Sequence, residues 1–232
     1  MTKVIFIGAT GTDIGKTYVT CQLLRQLQEK GYNARAIKPI ISGFDPAAIE
    51  QSDTGQLLIA MGIAPTLDNA ARISPWRYGP PLPPHRAAEQ VRDVINLEQV
   101  IEFCQQQAQD ISQDIGQDTA DGPLDFLLIE GVGGVMVPLN SDHTTLDLMT
   151  RLDCRCLLVT GSYLGTLSHS LTAIDCLTRR GIEIAGLIVS ESSQSTLDLV
   201  DVVRDFSMII PHIPLEKIPR HNQTAEIFKL VL

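Results

Sequence analysis

The decapeptide GATGTDIGKT, Gly8–Thr17, decides the fold. Before it stands KVIFIG (3–8), an unbroken apolar run of the kind that forms a strand buried on both faces. After it comes KTYVTCQLLRQLQEKG (16–31), in which Val19, Leu23, Leu24 and Leu27 share one helical face and Gly31 ends the helix. Strand, glycine-containing loop and helix in this order make an anion site, because the loop amides and the free N–H groups of the first helical turn point the same way. The spacing gathers Asp13, Ile14, Gly15, Lys16, Thr17 and Tyr18 around the phosphates of a nucleotide. Lys16 suits the β- and γ-phosphates as a mobile point charge, and the Thr17 hydroxyl suits a Mg²⁺ ion bridging them. The first half of the loop departs from the common G-x-x-x-x-G-K-[ST] pattern, since Thr10 stands where that pattern has glycine. Gly11 falls where partitioning-type ATPases carry a second lysine, which weighs against that class.

The rest of the chain keeps the same rhythm. NARAIKPI (33–40), LDFLLIEG (124–131), CRCLLVTG (154–161) and EIAGLIVS (183–190) read as strands, the first of them running to Lys38 and Pro39. TGQLLIAMG (54–62), Leu97–Gln107 with Asn96 as N-cap, and TLSHSLTAIDCLTRRG (166–181) read as helices. This alternation predicts an α/β fold: one three-layer α/β/α domain over residues 1–232, with a mostly parallel sheet of about six to seven strands, helices on both faces and ligands at the strands' carboxyl ends. ISPWRYGPPLPPHRAAE (73–89), with five of the 13 prolines, is expected to be irregular, either a pocket wall or a rigid connector. QDISQDIGQDTADGP (109–123) is expected to be an acidic surface excursion without chemistry.

Composition narrows the class. A formal net charge of -9 and the absence of a Lys/Arg run argue against nucleic-acid binding. Five cysteines, an odd number without zinc spacing, are expected to be buried reduced thiols, with Cys154 and Cys156 on one strand face. The reading is a soluble cytoplasmic protein with no membrane association, since no secretory leader and no membrane-length apolar run is present.

Polar residues at strand ends carry the chemistry. Lys38 is placed to neutralise charge on a transferring phosphoryl group, with Ser42 close behind it; the alternative is a surface lysine before a turn. Glu130 ends a buried strand, where a carboxylate needs a partner. Beside Thr17 it would be the acid that holds Mg²⁺, and Gly131, Val132 and Gly133 would let backbone approach the phosphates. Asp53 is a further Mg²⁺ ligand or a helix N-cap. YLGTLSH (163–169) opens a helix after a strand and forms a second anion-binding end, with His169 read as structural.

Taken in order, GTDIGKT, KPIISGF, SD, EGVGG and YLGTLSH resemble dethiobiotin synthetase, an ATP-dependent P-loop enzyme of biotin synthesis, over nearly the whole chain. The K-P-x-x-S-G and E-G-x-G-G blocks are the most discriminating. The resemblance implies a homodimeric ligase acting on small molecules: 7,8-diaminononanoate, CO₂ and ATP. It implies catalytic Lys38 and Lys16, with Thr12 and Ser42 against the carbamate or diamine. Thr17, Asp53 and Glu130 would hold Mg²⁺. Tyr163, Leu164, Gly165 and Thr166 of the other subunit would take the substrate carboxylate, and Ser190, Glu191 and Pro211 would border the nucleoside. Ser190-Glu191 departs from the asparagine usual in the family, so broad use of nucleoside triphosphates is an alternative. A related P-loop ligase with another substrate, or a partner-binding NTPase, is another.

Overall fold

A computed structural model describes residues 1–109, 123–193, 195, 197–220 and 225–232. The acidic stretch at 110–122 lies outside the described residues. The first strand, β1 (Lys3–Ala9), is followed by α1 (Lys16–Glu29), β2 (Ala34–Ile37), β3 (Ile40–Ser42), α2 (Asp53–Ala60), α3 (Leu67–Ile73), β4 (Trp76–Tyr78), α4 (Pro84–Gln90) and α5 (Leu97–Gln109). Then come β5 (Phe126–Glu130), α6 (Thr145–Arg151), β6 (Arg155–Gly161), α7 (Thr166–Arg179), β7 (Ile184–Ser190), α8 (Leu199–Ile209) and β8 (Leu215–Ile218).

Six strands form one sheet in the order β2-β5-β1-β6-β7-β8, every pairing parallel. The strands form because their residues are apolar on both faces: Ile5–Ile7, Leu127–Ile129, Leu157–Val159 and Leu187–Val189 are all buried. From β1 the chain winds to β2 on one side, and from β6 it winds through β7 to β8 on the other. Right-handed crossovers therefore place α1 against one face and α7 and α8 against the opposite face. The winding direction reverses around β1, and the crevice at such a reversal, outside the carboxyl ends of the strands, is where this class of sheet binds ligands. Helix α1 buries Val19, Leu23, Leu24 and Leu27 as the periodicity requires.

Three expectations change. The second strand stops at Ile37, one residue before Lys38, and Ile40–Ser42 leaves the main sheet to pair in parallel with Trp76–Tyr78 in a separate two-stranded sheet. The proline-rich segment is not irregular: it supplies β4 and α4. Pro84 opens α4, where proline's fixed φ suits the first turn and its missing N–H costs nothing. Cys154 lies just before β6 rather than within it, while Cys156 is buried in the strand. All five thiols are free, and burial pushes the Cys21 and Cys154 thiols up to about 12.

Candidate active site

The phosphate loop leaves β1 and enters α1 through Gly15, whose φ of 95° is left-handed. A Cβ at Gly15 would lie 2.8 Å from Ser190 Oγ, so space as well as backbone conformation requires glycine. Lys16 folds back over the loop and donates to Gly11 O at 3.0 Å. Burial, with the Lys38 charge nearby, lowers its pKa from 10.5 to about 8. The amides of Lys16, Thr17 and Tyr18 belong to the first helical turn, where no i−4 carbonyl exists, and they face the crevice that these residues line.

Next to the loop lies a charged cluster at the ends of β2 and β5. Lys38 Nζ is 2.6 Å from Asp53 Oδ2 and 2.6 Å from Glu130 Oε1. The Thr17 hydroxyl donates to the same Glu130 oxygen at 2.8 Å. Lys38 and Glu130 are buried and Asp53 is half-exposed. Burial opposes the charge on Lys38, but Glu130 and Asp53 outweigh it and hold its pKa above the ordinary value. Burial likewise opposes ionisation of Asp53, and the adjacent ammonium of Lys38 outweighs it, so that carboxyl sits below its ordinary range. Asp53 is not the cap of α2: Ser52 accepts from Gly55 N at 3.1 Å and does that work, leaving Asp53 free to face the crevice.

The cluster opens into a cleft of about 700 Å³ lined on the loop side by Thr12, Asp13, Gly15 and Tyr18 and on the far side by Ser42, Val132 and Gly133. Pro81, Leu82, Pro83 and Pro84 form a wall, so the proline-rich segment does border the pocket. Gly131 does not line this cleft. Its N–H is given to Ile7 O at 3.1 Å, and a Cβ there would meet the Phe6 ring at 2.7 Å, so it serves the packing of β5 on β1. A second space of about 460 Å³ continues past Asp13, Ile14 and Tyr18 to Ser190, Glu191, Ser192, Ser193 and Arg220.

Two groups fall elsewhere than expected. Pro211 precedes β8, which runs parallel to β7 from Leu215 beside Leu187 to Ile218 beside Ser190; it therefore lies before the amino end of β8, away from the crevice at the carboxyl ends. Arg220, just beyond the carboxyl end of β8, takes the place expected of it, and its N–H is accepted by Glu191 Oε2 at 2.8 Å. Tyr163, Leu164, Gly165 and Thr166 form the start of α7 but do not line the cleft of their own chain. The Thr166 hydroxyl is turned inward, donating to Gly161 O at 2.6 Å. His169 is exposed, with Nδ1 3.0 Å from the Tyr163 hydroxyl. Arg220 carries no sequence signal because LEKI (215–218) is too short and too mixed to announce a strand, while Ser192 and Ser193 continue the loop that begins at Ser190 and Glu191.

The donor set fits Mg²⁺. Among the described residues no group of three or more His, Cys, Asp or Glu is placed to hold a metal, but two carboxylates and a hydroxyl are an oxygen-only set for a hard cation that keeps several waters. Glu130 Oε2 is buried without a hydrogen-bond partner, an acceptor open to such an ion. Thr17 spends its proton on Glu130, which leaves its lone pairs available.

This constellation has relatives. The AAA domain family matches residues 3–225. The chain is 43% identical over 190 residues to the ATP-dependent dethiobiotin synthetase BioD of Caulobacter vibrioides, covering 82% of this chain and 80% of that protein. It is 38% identical over 221 residues to the ATP-dependent dethiobiotin synthetase BioD of Phenylobacterium zucineum, covering 95% and 90%. The chain belongs to the dethiobiotin synthetase family. Among solved structures, the MinC:MinD cell division protein complex of Aquifex aeolicus aligns with a TM-score of 0.57 at 15% identity, over 96% of this chain and 83% of that one. That likeness concerns the α/β/α fold alone. No helix among the described residues is long and apolar enough to cross a membrane.

Proposed function

We propose that the chain closes 7,8-diaminononanoate and CO₂ into the ureido ring of dethiobiotin with consumption of ATP. One amine takes up CO₂ as a carbamate and releases a proton. A carbamate oxygen attacks the γ-phosphorus, and ADP leaves. The second amine attacks the carbamoyl carbon, and phosphate leaves as the ring closes. Phosphoryl transfer asks for positioning and charge rather than a covalent nucleophile, and the site offers those. Lys16 and the α1 amides hold the phosphate chain, while Thr12 and Ser42 face the carbamate and diamine across the cleft. Lys38 stabilises negative charge on the phosphoryl oxygens in flight. Thr17, Asp53 and Glu130 would hold Mg²⁺, which when bound supplies neutralisation at the phosphate oxygens. The proline wall shields the mixed anhydride from water.

The observation that carries this reading is Lys38, buried 2.6 Å from each carboxylate, with Thr17 of the loop on the same Glu130 oxygen. The test is to incubate the protein with diaminononanoate, bicarbonate, Mg²⁺ and ATP and to assay dethiobiotin. ATP hydrolysis without ureido product defeats the reading.

A homodimer belongs to the same proposal. Leu164 is 83% exposed and its neighbours do not reach their own cleft, which suits a helix start serving a second copy. There the amides of 163–166, rather than the inward Thr166 hydroxyl, would meet the substrate carboxylate. Relaxed base preference is favoured by one feature: among the described residues that line the second space, Ser190, Ser192 and Ser193 stand at the end of β7, Glu191 is already accepting from Arg220 N–H, and no amide side chain is placed for two-point recognition of adenine. Initial rates with sub-saturating ATP, GTP and CTP decide this, and an ATP preference of about tenfold or more removes it.

A further inference from the structure

We propose that Thr160 is a positioning residue for the phosphate loop, the hub of a one-directional chain of hydroxyl groups that anchors Thr10 and ends on an Nδ1-protonated His169. The nucleotide part of this inference rests on the function proposed above; the direction of the chain does not.

Thr160 stands near the carboxyl end of β6 and has no exposed surface. Its Oγ1 lies 3.0 Å from Thr10 Oγ1, 2.9 Å from Thr166 Oγ1 and 2.9 Å from Ser170 Oγ. Thr10 Oγ1 is also 3.3 Å from the Tyr163 hydroxyl, which is 3.0 Å from His169 Nδ1. Each hydroxyl owns one proton, so the whole pattern follows from its last link. A carbonyl only accepts, so Thr166 donates to Gly161 O. Having spent its proton there, Thr166 must accept from Thr160. Thr160 has then spent its own, so it accepts from Thr10 and from Ser170, filling two lone pairs. Thr10 in turn accepts from Tyr163. Tyr163, with no proton left, accepts from His169, whose Nδ1 must carry the hydrogen. Every group is satisfied once and no donor faces a donor.

The chain matters because of where Thr10 sits. It is the first residue beyond β1, and its N–H is given to Val159 O at 3.1 Å. The entry to the phosphate loop is thus clamped to β6 twice, by backbone and by side chain. A glycine at position 10 would keep only the first clamp. The threonine that breaks the common loop pattern is the handle by which β6 holds this loop. Thr160 is fully buried and does not line the cleft, so it acts through Thr10.

Two measurements test this on the full chain. Nitrogen-15 NMR of the His169 ring, at about pH 9 where a free imidazole is neutral, should show Nδ1 protonated and Nε2 bare. It should show loss of that preference in Tyr163→Phe; a dominant Nε2–H form in the wild type overturns the chain. Calorimetric titration with ATP should show an affinity loss of about tenfold in Thr160→Val and recovery to within about twofold of wild type in Thr160→Ser. A lower melting temperature with unchanged ATP affinity in Thr160→Val means a structural role only, and overturns the positioning role. If Thr160→Val does not fold, Tyr163→Phe decides, with about a threefold loss expected and no loss overturning the proposal. Wild-type protein that binds no ATP defeats the nucleotide reading and the positioning role together, while the histidine tautomer still reports on the chain.

Discussion

The phosphate loop leans on two polar clusters, one on each side of β1, and they are built oppositely. On the β5 side the contacts are ionic: Lys38 between Asp53 and Glu130, with Thr17 joining them. On the β6 side they are neutral: Thr10, Thr160, Thr166 and Ser170 are joined by hydroxyl hydrogen bonds. A buried ion pair is strong only while both partners are present, and its attraction can be redirected to an arriving charge. A chain of hydroxyls whose protons are all spent within it has nothing to gain from a charged ligand and keeps its geometry. The ionic side is therefore suited to meet the changing charge of the reactants, and the neutral side to hold the loop still while that happens.

Lys38→Met cuts most deeply into this contrast. It should lower dethiobiotin formation by about a thousandfold or more while ATP still binds, as read by product assay and calorimetry. The same variant leaves Asp53 and Glu130 without their ammonium. Mg²⁺ alone should then raise its melting temperature more than it raises that of the wild type. Equal shifts would mean that lysine and metal do not share those oxygens.

Glu130→Gln comes next. It strips the buried Lys38 of one of its two counter-charges and should cost about 3 kcal/mol of stability in urea unfolding. A cost near zero would place the ionic cluster closer to solvent than its burial indicates.

The pH response of Lys16 is smaller. Its folded pKa of about 8 lies below the 10.5 of a free lysine. Below pH 8 the folded ligand-free protein bears the full cost of a buried ammonium. Between these two values the unfolded chain holds the extra proton, so stability from this group rises with pH. Nucleotide phosphate favours the charged form, so ATP binding above pH 8 should take up a proton and weaken as pH rises. Calorimetry in buffers of different ionisation enthalpy reads that uptake directly.

Ser190→Asn should have the mildest effect, improving ATP over CTP by a few-fold, about 1 kcal/mol, in initial rates. No change would show that the base is read by backbone alone.

Much of the ionic side was legible in the chain. Lys16 and Thr17 open a helix whose period is plain, Glu130 closes a fully apolar strand, and Lys38 follows an apolar run. Each is placed by local pattern. The neutral side was not legible, because Thr10 and Thr160 stand 150 residues apart and nothing in either stretch names the other. Pro211 is implied for the nucleoside by the family resemblance alone, with no local pattern behind it. LEKI is half-buried and four residues long, so its direction, and hence which end of it meets the crevice, emerges only from its pairing with β7. The proline-rich wall hid its order because prolines that open a helix look the same in composition as prolines that forbid one.

Gly15 and Ser190 leave a last consequence. A Cβ built at Gly15 would lie 2.8 Å from Ser190 Oγ, so the phosphate loop and the end of β7 meet with no room for another atom between them. Bulk added at position 190 toward the loop would meet Gly15. Asp13, Gly15 and Tyr18 line both the phosphate cleft and the second space, so the two compartments share one piece of wall and a change in it registers in both.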